Sequence, residues 1–576
     1  MILNKNLGQY FLEKGKLTPD QLNLCRSEYD GQVIEGAMIK MSLGEIMMKH
    51  GFITELDYMM AYGALSGAKV ANLNSANIDR NLSKAISRKI AQENAVIPFE
   101  TVGEDAISLA MKDPTDLFAI EEARKASRKR IIPCLASPSV IDTAISNVYN
   151  IETADKAVTE MAREMGDDTD TFSQVLNYKL DEGLDADESP TVRYVNSILR
   201  RSVAEHASDI HIEVSEKESL TRIRTDGILR DIQSAKRELH PSIVARIKVM
   251  SNLNVAERRI PQDGRSSITI GKENIDLRVS TLPTVYGEKV VIRLLRKTLG
   301  TSDKNAIGLK GRNMEAYETI LKNHNGVILI VGPTGSGKST TMTTMIKILN
   351  TRDVNCMSLE DPVEYEIPGV NQVQINEKTG MTFAKGLRAA MRQDPDIINV
   401  GEIRDGETAE IAMRAAITGH LVISTLHTND AVSTFERLKD IGVDPYLIAS
   451  GMLGIISQRL VRKICTYCKE EYVPDDRDLD DLGYEPAKMK AEHKFYRGKG
   501  CPMCYGTGYS GRTGVFEILT MTHALRRAIA ENKPQDEVIK AADATGYSKM
   551  KESCLELVLE GTTTIAEMKR TVNAIE

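Results

Sequence analysis

The chain has no apolar run long enough to cross a bilayer. Its most strongly aliphatic stretch, Val327 to Val331, falls far short of the roughly 20 residues that a spanning helix needs. Nor does the segment from Met1 show a basic stretch followed by an apolar one, so the protein is expected to be cytosolic or peripheral to a membrane. Basic residues are not in surplus either: 74 lysines and arginines face 81 aspartates and glutamates, for a formal charge of -7. A chain without a concentrated basic face is not expected to hold nucleic-acid phosphates. Cysteines are few, eight in 576 residues, which argues against a disulfide scaffold. Four of them form two CxxC pairs, a pattern that suits a metal in a reducing compartment. What remains is ordinary for a globular chain, 41% hydrophobic and 27% charged. Because single cores stop growing near about 250–300 residues, three or four domains are expected.

Near the start, Leu7-Gly8, Gly15 and Leu17-Thr18 recur 36 residues later as Leu43-Gly44, Gly51 and Ile53-Thr54. This reads as a duplicated helix-turn-helix in which the second glycine of each copy ends one helix and the threonine caps the next. From Asn81 to Asn150, helical runs (Lys84 to Asn94, Leu117 to Ala126, Val140 to Tyr149) alternate with short strands (Ala106 to Ala110, Arg130 to Leu135), giving an N-terminal α+β domain over 1–150. Residues 151–188 are acidic and poor in large apolar side chains, so they read as a hinge or tether. A second α/β lobe over 189–300 opens with a helix from Thr191 to Glu205. Strands follow around Asp209 to Glu213, Leu220 to Thr225, Ser267 to Ile270, Asn274 to Ser280 and Lys289 to Leu295. The largest domain begins at about Ala306 and runs to 576.

That domain opens on chemistry. The buried-strand run Val327 to Val331 leads directly into Gly332-Pro333-Thr334-Gly335-Ser336-Gly337-Lys338-Ser339-Thr340 and then a helix-prone stretch to Leu349. Strand, glycine-rich turn and helix N-terminus are the context that gives GxxxxGK[ST] its meaning. Backbone N–H groups of such a turn curl onto phosphate oxygens, and the helix end favours negative charge. Lys338 is expected to reach the β- and γ-phosphates of ATP and Ser339 to hold Mg²⁺. Phosphoryl transfer also needs acids at neighbouring strand ends. Cys356 to Leu359 leads into Glu360, Asp361 and Glu364; Ile397 to Gly401 leads into Glu402, Arg404 and Asp405. A third strand, Leu421 to Leu426, is flanked by His420 and His427.

Cys465-Thr-Tyr-Cys468 and Cys501-Pro-Met-Cys504 lie 32 residues apart. Four thiolates in two pairs suit a closed tetrahedral zinc site, with no open position for catalysis, bracing a subdomain over 461–511. A redox role would not explain two pairs. Cys25, Cys134, Cys356 and Cys554 read as small core residues.

Together GPTGSGKST, SLEDPVEY, DPDIINVGEIRD and ITGHLVISTLHTNDA resemble the Walker A, Asp box, Walker B and His box of the type II secretion and type IV pilus ATPase superfamily. Ala207-Ser208-Asp209-Ile210-His211-Ile212-Glu213, Arg224-Thr225-Asp226-Gly227, Pro261 to Arg265 and Arg278 to Thr281 resemble its N-terminal lobe. The likeness covers about residues 190–576 and is weaker over 1–150. It implies a RecA-like P-loop domain, a smaller PAS-like lobe before it, and a homohexameric ring binding ATP between the lobes. It further implies Glu364 as the residue that polarises the attacking water, Glu402 as the Walker B glutamate at Mg²⁺, and Glu360 and Asp361 as Asp-box residues of the nucleotide site. His420 and His427 would sense the γ-phosphate or hold the water network, and Arg278 and Arg293 would be arginine fingers. The CxxC insertion and the N-terminal domain resemble assembly motors rather than retraction motors. The partners implied are an inner-membrane platform protein and a cytoplasmic adaptor, with cyclic di-GMP sometimes bound by the first domain. Here Asn6 and Ser42 replace the arginine that often precedes each LG. A type II secretion ATPase is built from the same motifs and stays open as an alternative, with a DNA-translocating motor or an inert nucleotide-binding scaffold behind it.

Overall fold

The computed structural model describes the chain apart from residues 1, 35–42, 68, 72, 74–77, 80–81, 83–84, 104, 115, 147, 150–177, 181–188, 271–272, 297–302, 364–365 and 573–576. Contacts group the chain into two units, Met1–Arg296 with Lys499–Gly508, and Lys297–Gly498 with Tyr509–Glu576. Among the described residues no helix is long and apolar enough to cross a membrane.

The first unit starts with the repeat, folded as two helical hairpins: Ile2–Glu13 with Pro19–Ile34, and Leu43–Lys49 with Glu55–Ser66. Gly15 and Gly51 take left-handed φ of 66° and 69° where the first helix of each pair stops. Thr54 Oγ1 accepts from Asp57 N while the Asp57 carboxylate accepts from Thr54 N, and Thr18 and Gln21 make the same exchange one repeat earlier. The LG glycines serve packing. A Cβ on Gly8 would stand 2.6 Å from Leu22, and one on Gly44 would stand 2.1 Å from the Tyr58 ring, again 36 residues on. Next come β1 (Val96–Val102), β2 (Ala106–Met111) and β3 (Arg130–Leu135), in that order in a small sheet, with β2 and β3 parallel. β1 is absent from the sequence reading because Pro98 sits inside it; the register with β2 shifts between Pro98 and Glu100, as a bulge allows.

The expected tether at 151–188 lies outside the described residues except for β4 (Tyr178–Leu180) and Ser189 onward is described again. The main sheet of this unit adds β5 (Asp209–Val214), β6 (Glu218–Thr225), β7 (Ile228–Lys236), β8 (Gln262–Ile270), β9 (Glu273–Thr284) and β10 (Gly287–Arg296), in the order β4-β8-β9-β10-β5-β6-β7. Helices Pro190–Ala204 and His240–Met250 share a core with its apolar face, around Tyr194, Ile210, Ile243 and Ile275. Strand alternation leaves charged residues on the opposite face. β7 and the helix His240–Met250 were not legible: β7 is an edge strand in which only Ala235 is buried, so it lacks a two-residue apolar rhythm.

The second unit is a seven-stranded sheet with helices on both faces. Its strands are β11 (Gly326–Val331), β12 (Cys356–Glu360), β13 (Val370–Gln374), β14 (Ile397–Val400), β15 (Leu421–Leu426), β16 (Met452–Ile464) and, after the two-stranded β17 (Lys469–Tyr472) and β18 (Phe495–Gly498), β19 (Tyr509–Thr520). The order is β13-β12-β14-β15-β11-β16-β19, parallel throughout except for β16 with β19. Every residue of β11 is buried, which accounts for its unbroken aliphatic run. Two apolar clusters cover the two faces, one including Leu329, Ala412 and Phe435, the other Ile328, Ile330 and Met345. Parallel strands bring the carboxyl ends of β11, β12, β14 and β15 to one edge, where ligands bind in sheets of this kind.

Candidate functional site

The loop Gly332–Gly337 leaves the carboxyl end of β11 and delivers the chain into helix Lys338–Leu349, with Gly337 as N-cap at φ 90°. Two glycines are required by close approach: a Cβ on Gly332 would stand 2.4 Å from the Gln458 carbonyl oxygen, and one on Gly337 would stand 2.8 Å from Gln458 Nε2. Lys338 is 9% exposed, and its Nζ donates to the carbonyls of Gly332 (2.7 Å) and Pro333 (3.2 Å). Burial pulls the ammonium below its usual range, opposed by the nearby Glu402 carboxylate. Ser336 Oγ is buried without a hydrogen-bond partner, while Thr334, Ser339 and Thr340 are exposed. Loop N–H groups, a buried hydroxyl without a partner, an ammonium and a helix N-terminus form a donor set that fits nucleotide phosphates.

β14 carries Glu402 to the same edge. Gly401 N donates to Leu359 O and Gly401 O accepts from Thr425 Oγ1 at 2.8 Å, so both neighbouring strands fix the approach to Glu402. Arg404 Nε donates to Glu402 Oε1 at 2.8 Å, its Nη2 stands 3.3 Å from Asp361 Oδ2, and its guanidinium lies over the Phe383 ring. The hydrogen bond to Glu402 holds the guanidinium above its usual range. His427 Nε2 stands 3.7 Å from Glu402 Oε2. Glu360 Oε1 accepts from Ser358 Oγ and from Gln372 Nε2 (2.9 Å), tying it into the sheet. The structure thus brings together Lys338, Glu402, Asp361 and His427, and adds Arg404, which the sequence reading named beside Glu402 without giving it a role.

His420 is a correction. It precedes Leu421 at the other end of β15, where its carbonyl accepts from Gly326 N and its Nδ1 lies 2.9 Å from Ala415 O. A six-residue strand separates it from His427, about 20 Å at the usual rise, so the two histidines do not share the nucleotide edge. Glu364 lies outside the described residues.

In the first unit, Arg278 and Arg293 are directly opposed on β9 and β10. The row continues to Arg265 on β8, Asp209 on β5 and Arg224 on β6. Asp209 takes Arg293 Nε at 3.0 Å and faces Arg224 Nε at 3.9 Å. Among the described residues, Arg278 and Arg265 make no ion pair.

The sulfurs of Cys465, Cys468, Cys501 and Cys504 lie within 4.8 Å of one another. Cys504 Sγ accepts from Cys501 N and Gly508 N, both at 3.2 Å, bonds that favour a thiolate. Four sulfurs so gathered fit a tetrahedral zinc ion. Cys25, Cys134, Cys356 and Cys554 are fully buried, and burial pushes the Cys356 and Cys554 thiols up to about 12, so they stay inert.

Set against known families, residues 185–570 match the profile described as Type II/IV secretion system protein. The chain belongs to this family. As a secretion and pilus ATPase of that family, it is an ATP-hydrolysing enzyme, and Mg²⁺ is the metal such chemistry uses. Residues 66–155 match the MshEN domain. The chain is 41% identical over 469 residues to the Type II secretion system protein E of Pseudomonas aeruginosa, covering 81% of this chain and 92% of that one. It is 34% identical over 571 residues to the Type IV pilus assembly ATPase PilB of Myxococcus xanthus, covering 98% of each. The X-ray structure of the Yersinia pseudotuberculosis ATPase DotB matches with a TM-score of 0.51 at 19% identity, covering 71% of this chain and all of that one, a likeness of fold alone.

Proposed function

We propose that this member of the secretion ATPase family is a homohexameric motor that powers assembly of a type IV pilus from the cytoplasmic side of the inner membrane. The observation that carries the choice is extent. The match to PilB of Myxococcus xanthus runs over 98% of both chains, N-terminal domain included. The match to secretion protein E of Pseudomonas aeruginosa is more identical, at 41%, but covers 81% of this chain, and that identity is what favours the second reading, a type II secretion motor.

In this reading the N–H groups of Gly332–Gly337, Ser336 Oγ and Lys338 bind the phosphates of ATP, and Lys338 neutralises charge at the β/γ bridge. Ser339 and Glu402 hold Mg²⁺, which supplies charge neutralisation and alignment of the phosphate oxygens when bound. Glu364 orients and polarises the attacking water. His427, beside Glu402, supports the hydrogen bonding around it, and Arg278 and Arg293 supply guanidinium charge to the transferring phosphoryl group. Zinc at the four cysteines braces residues 461–511. The partners are a membrane platform protein and a cytoplasmic adaptor met by the N-terminal domain. The MshEN match supports that adaptor role, and cyclic di-GMP is the candidate small ligand there.

A strain deleted for the gene and complemented with wild type or Lys338→Ala tests the reading. The wild type is expected to restore surface pili and Lys338→Ala to fail. Unchanged pili in the deletion strain, together with lost export of folded proteins, would move the assignment to secretion. In purified protein, Glu364→Gln is expected to abolish hydrolysis while the oligomeric mass is kept.

A further inference from the structure

The phosphate loop is backed by a residue that none of the motifs includes. β16 runs beside β11 in parallel, with Ser457 level with Val331, so Gln458 stands where the chain leaves β11 for the loop. Gln458 is 2% exposed. Its Oε1 accepts from Thr341 Oγ1 at 2.7 Å, and Thr341, three residues beyond Lys338, is fully buried. Its Nε2 packs against Gly337 and its backbone oxygen against Gly332, as the positions of added Cβ atoms show. One residue therefore backs the first glycine of the loop, the last glycine, and the first turn of the helix that follows.

Leucine would fill the same space without burying an amide, whose desolvation is repaid only through its hydrogen bonds. The amide here fixes the side-chain rotamer and, through Thr341, the rotation of the helix about its axis. That rotation decides where Lys338 and the loop N–H groups point, and preorganised donors lose most of their value when displaced by about an ångström. The adjacent Arg459, on the other face of the strand, reaches the opposite half of the site: its Nη2 lies 3.5 Å from the carbonyl oxygen of Asn429, two residues after His427.

We infer that Gln458 is a positioning residue for the phosphate loop, acting through Thr341 to set nucleotide affinity; this rests on reading the loop as the ATP site. Gln458→Leu and Thr341→Val each keep the side-chain volume close and remove one side of the hydrogen bond. In the full chain, titration calorimetry with ADP should show its Kd raised about five- to tenfold by each, the equivalent of one net buried hydrogen bond. The double variant should be no weaker than either single one, because both remove the same contact. KM for ATP should rise with Kd while kcat changes less, and the melting midpoint without nucleotide should stay within a few degrees.

Two results would overturn the inference: a wild-type Kd in either single variant, whatever its melting point, or a double variant whose loss is the product of the two single losses. Lys338→Ala separates this from the underlying reading. If that variant binds ADP as tightly as wild type, the loop is not the nucleotide site, and that assignment is what fails.

Discussion

Replacing Glu567 by glutamine takes the charge out of a clamp that holds the C-terminal helix Ile565–Val572 against β16, three residues before Cys465. The Glu567 side chain is fully buried. One oxygen accepts from Arg462 N at 3.0 Å and Arg570 Nη2 at 2.6 Å, the other from Arg462 Nη2 at 2.7 Å and both Arg462 Nε and Arg570 Nε at 3.0 Å. Burial alone would raise its pKa, but hydrogen bonds from Arg570 and Arg462 outweigh that and hold it at about 2, against an ordinary 4.5. At about 1.4 kcal/mol per pKa unit, the depression corresponds to about 3 kcal/mol of stability at neutral pH. The sign follows from the direction: the folded pKa lies below the unfolded one, so the contribution is complete above about pH 5.5 and drains as pH falls from 4.5 toward 2. Glu567→Gln should therefore lower the calorimetric midpoint of the full chain by about 5 °C at pH 7. Hydrogen exchange should quicken in 459–466 and 563–572. The gap from wild type should shrink by more than half at about pH 3, where the wild-type carboxylate is losing its advantage. A variant within 1 °C of wild type at pH 7, or a gap that does not narrow in acid, would refute the clamp as a source of stability.

Other outcomes follow from the site. His427→Ala is expected to lower kcat by about tenfold or more and His420→Ala by less than about twofold, since only the former stands at the nucleotide edge; steady-state hydrolysis decides. Purified chain should carry one zinc per protomer by elemental analysis, and Cys465→Ser should lose it and expose 461–511 to proteolysis. Gly44→Ala should destabilise the N-terminal hairpins by about 1–3 kcal/mol, because the added Cβ meets the Tyr58 ring; hydrogen exchange in Leu43–Lys49 and Glu55–Ser66 checks it.

The catalytic edge was legible because its signals are local. Gly332 to Thr340 need a strand before and a helix after, and both are adjacent in sequence; the acids sit directly behind apolar strand runs. The repeat of glycine and threonine at an interval of 36 gave both helical hairpins and their caps. Illegible features depend on partners distant in the chain. Gln458 matters because β16 pairs with β11, more than a hundred residues earlier, and no local pattern announces that pairing. His420 was placed with His427 by motif alone, whereas a six-residue strand between them puts them at opposite ends of the sheet. β1 and β7 were missed through a proline at a bulge and the polarity of an edge.

The arginine row has a cost to the lobe that carries it. Arg278 has an arginine directly opposite on each neighbouring strand, and like charges so placed repel. A single carboxylate, Asp209, serves the far end of the row. On the arginine-finger role proposed for Arg278, that repulsion is a local cost which a bound polyanion would relieve, so stability and turnover would be antagonists at this position. Arg278→Ala should raise the lobe's melting point while slowing hydrolysis, and added sulfate should raise that of the wild type more than of the variant.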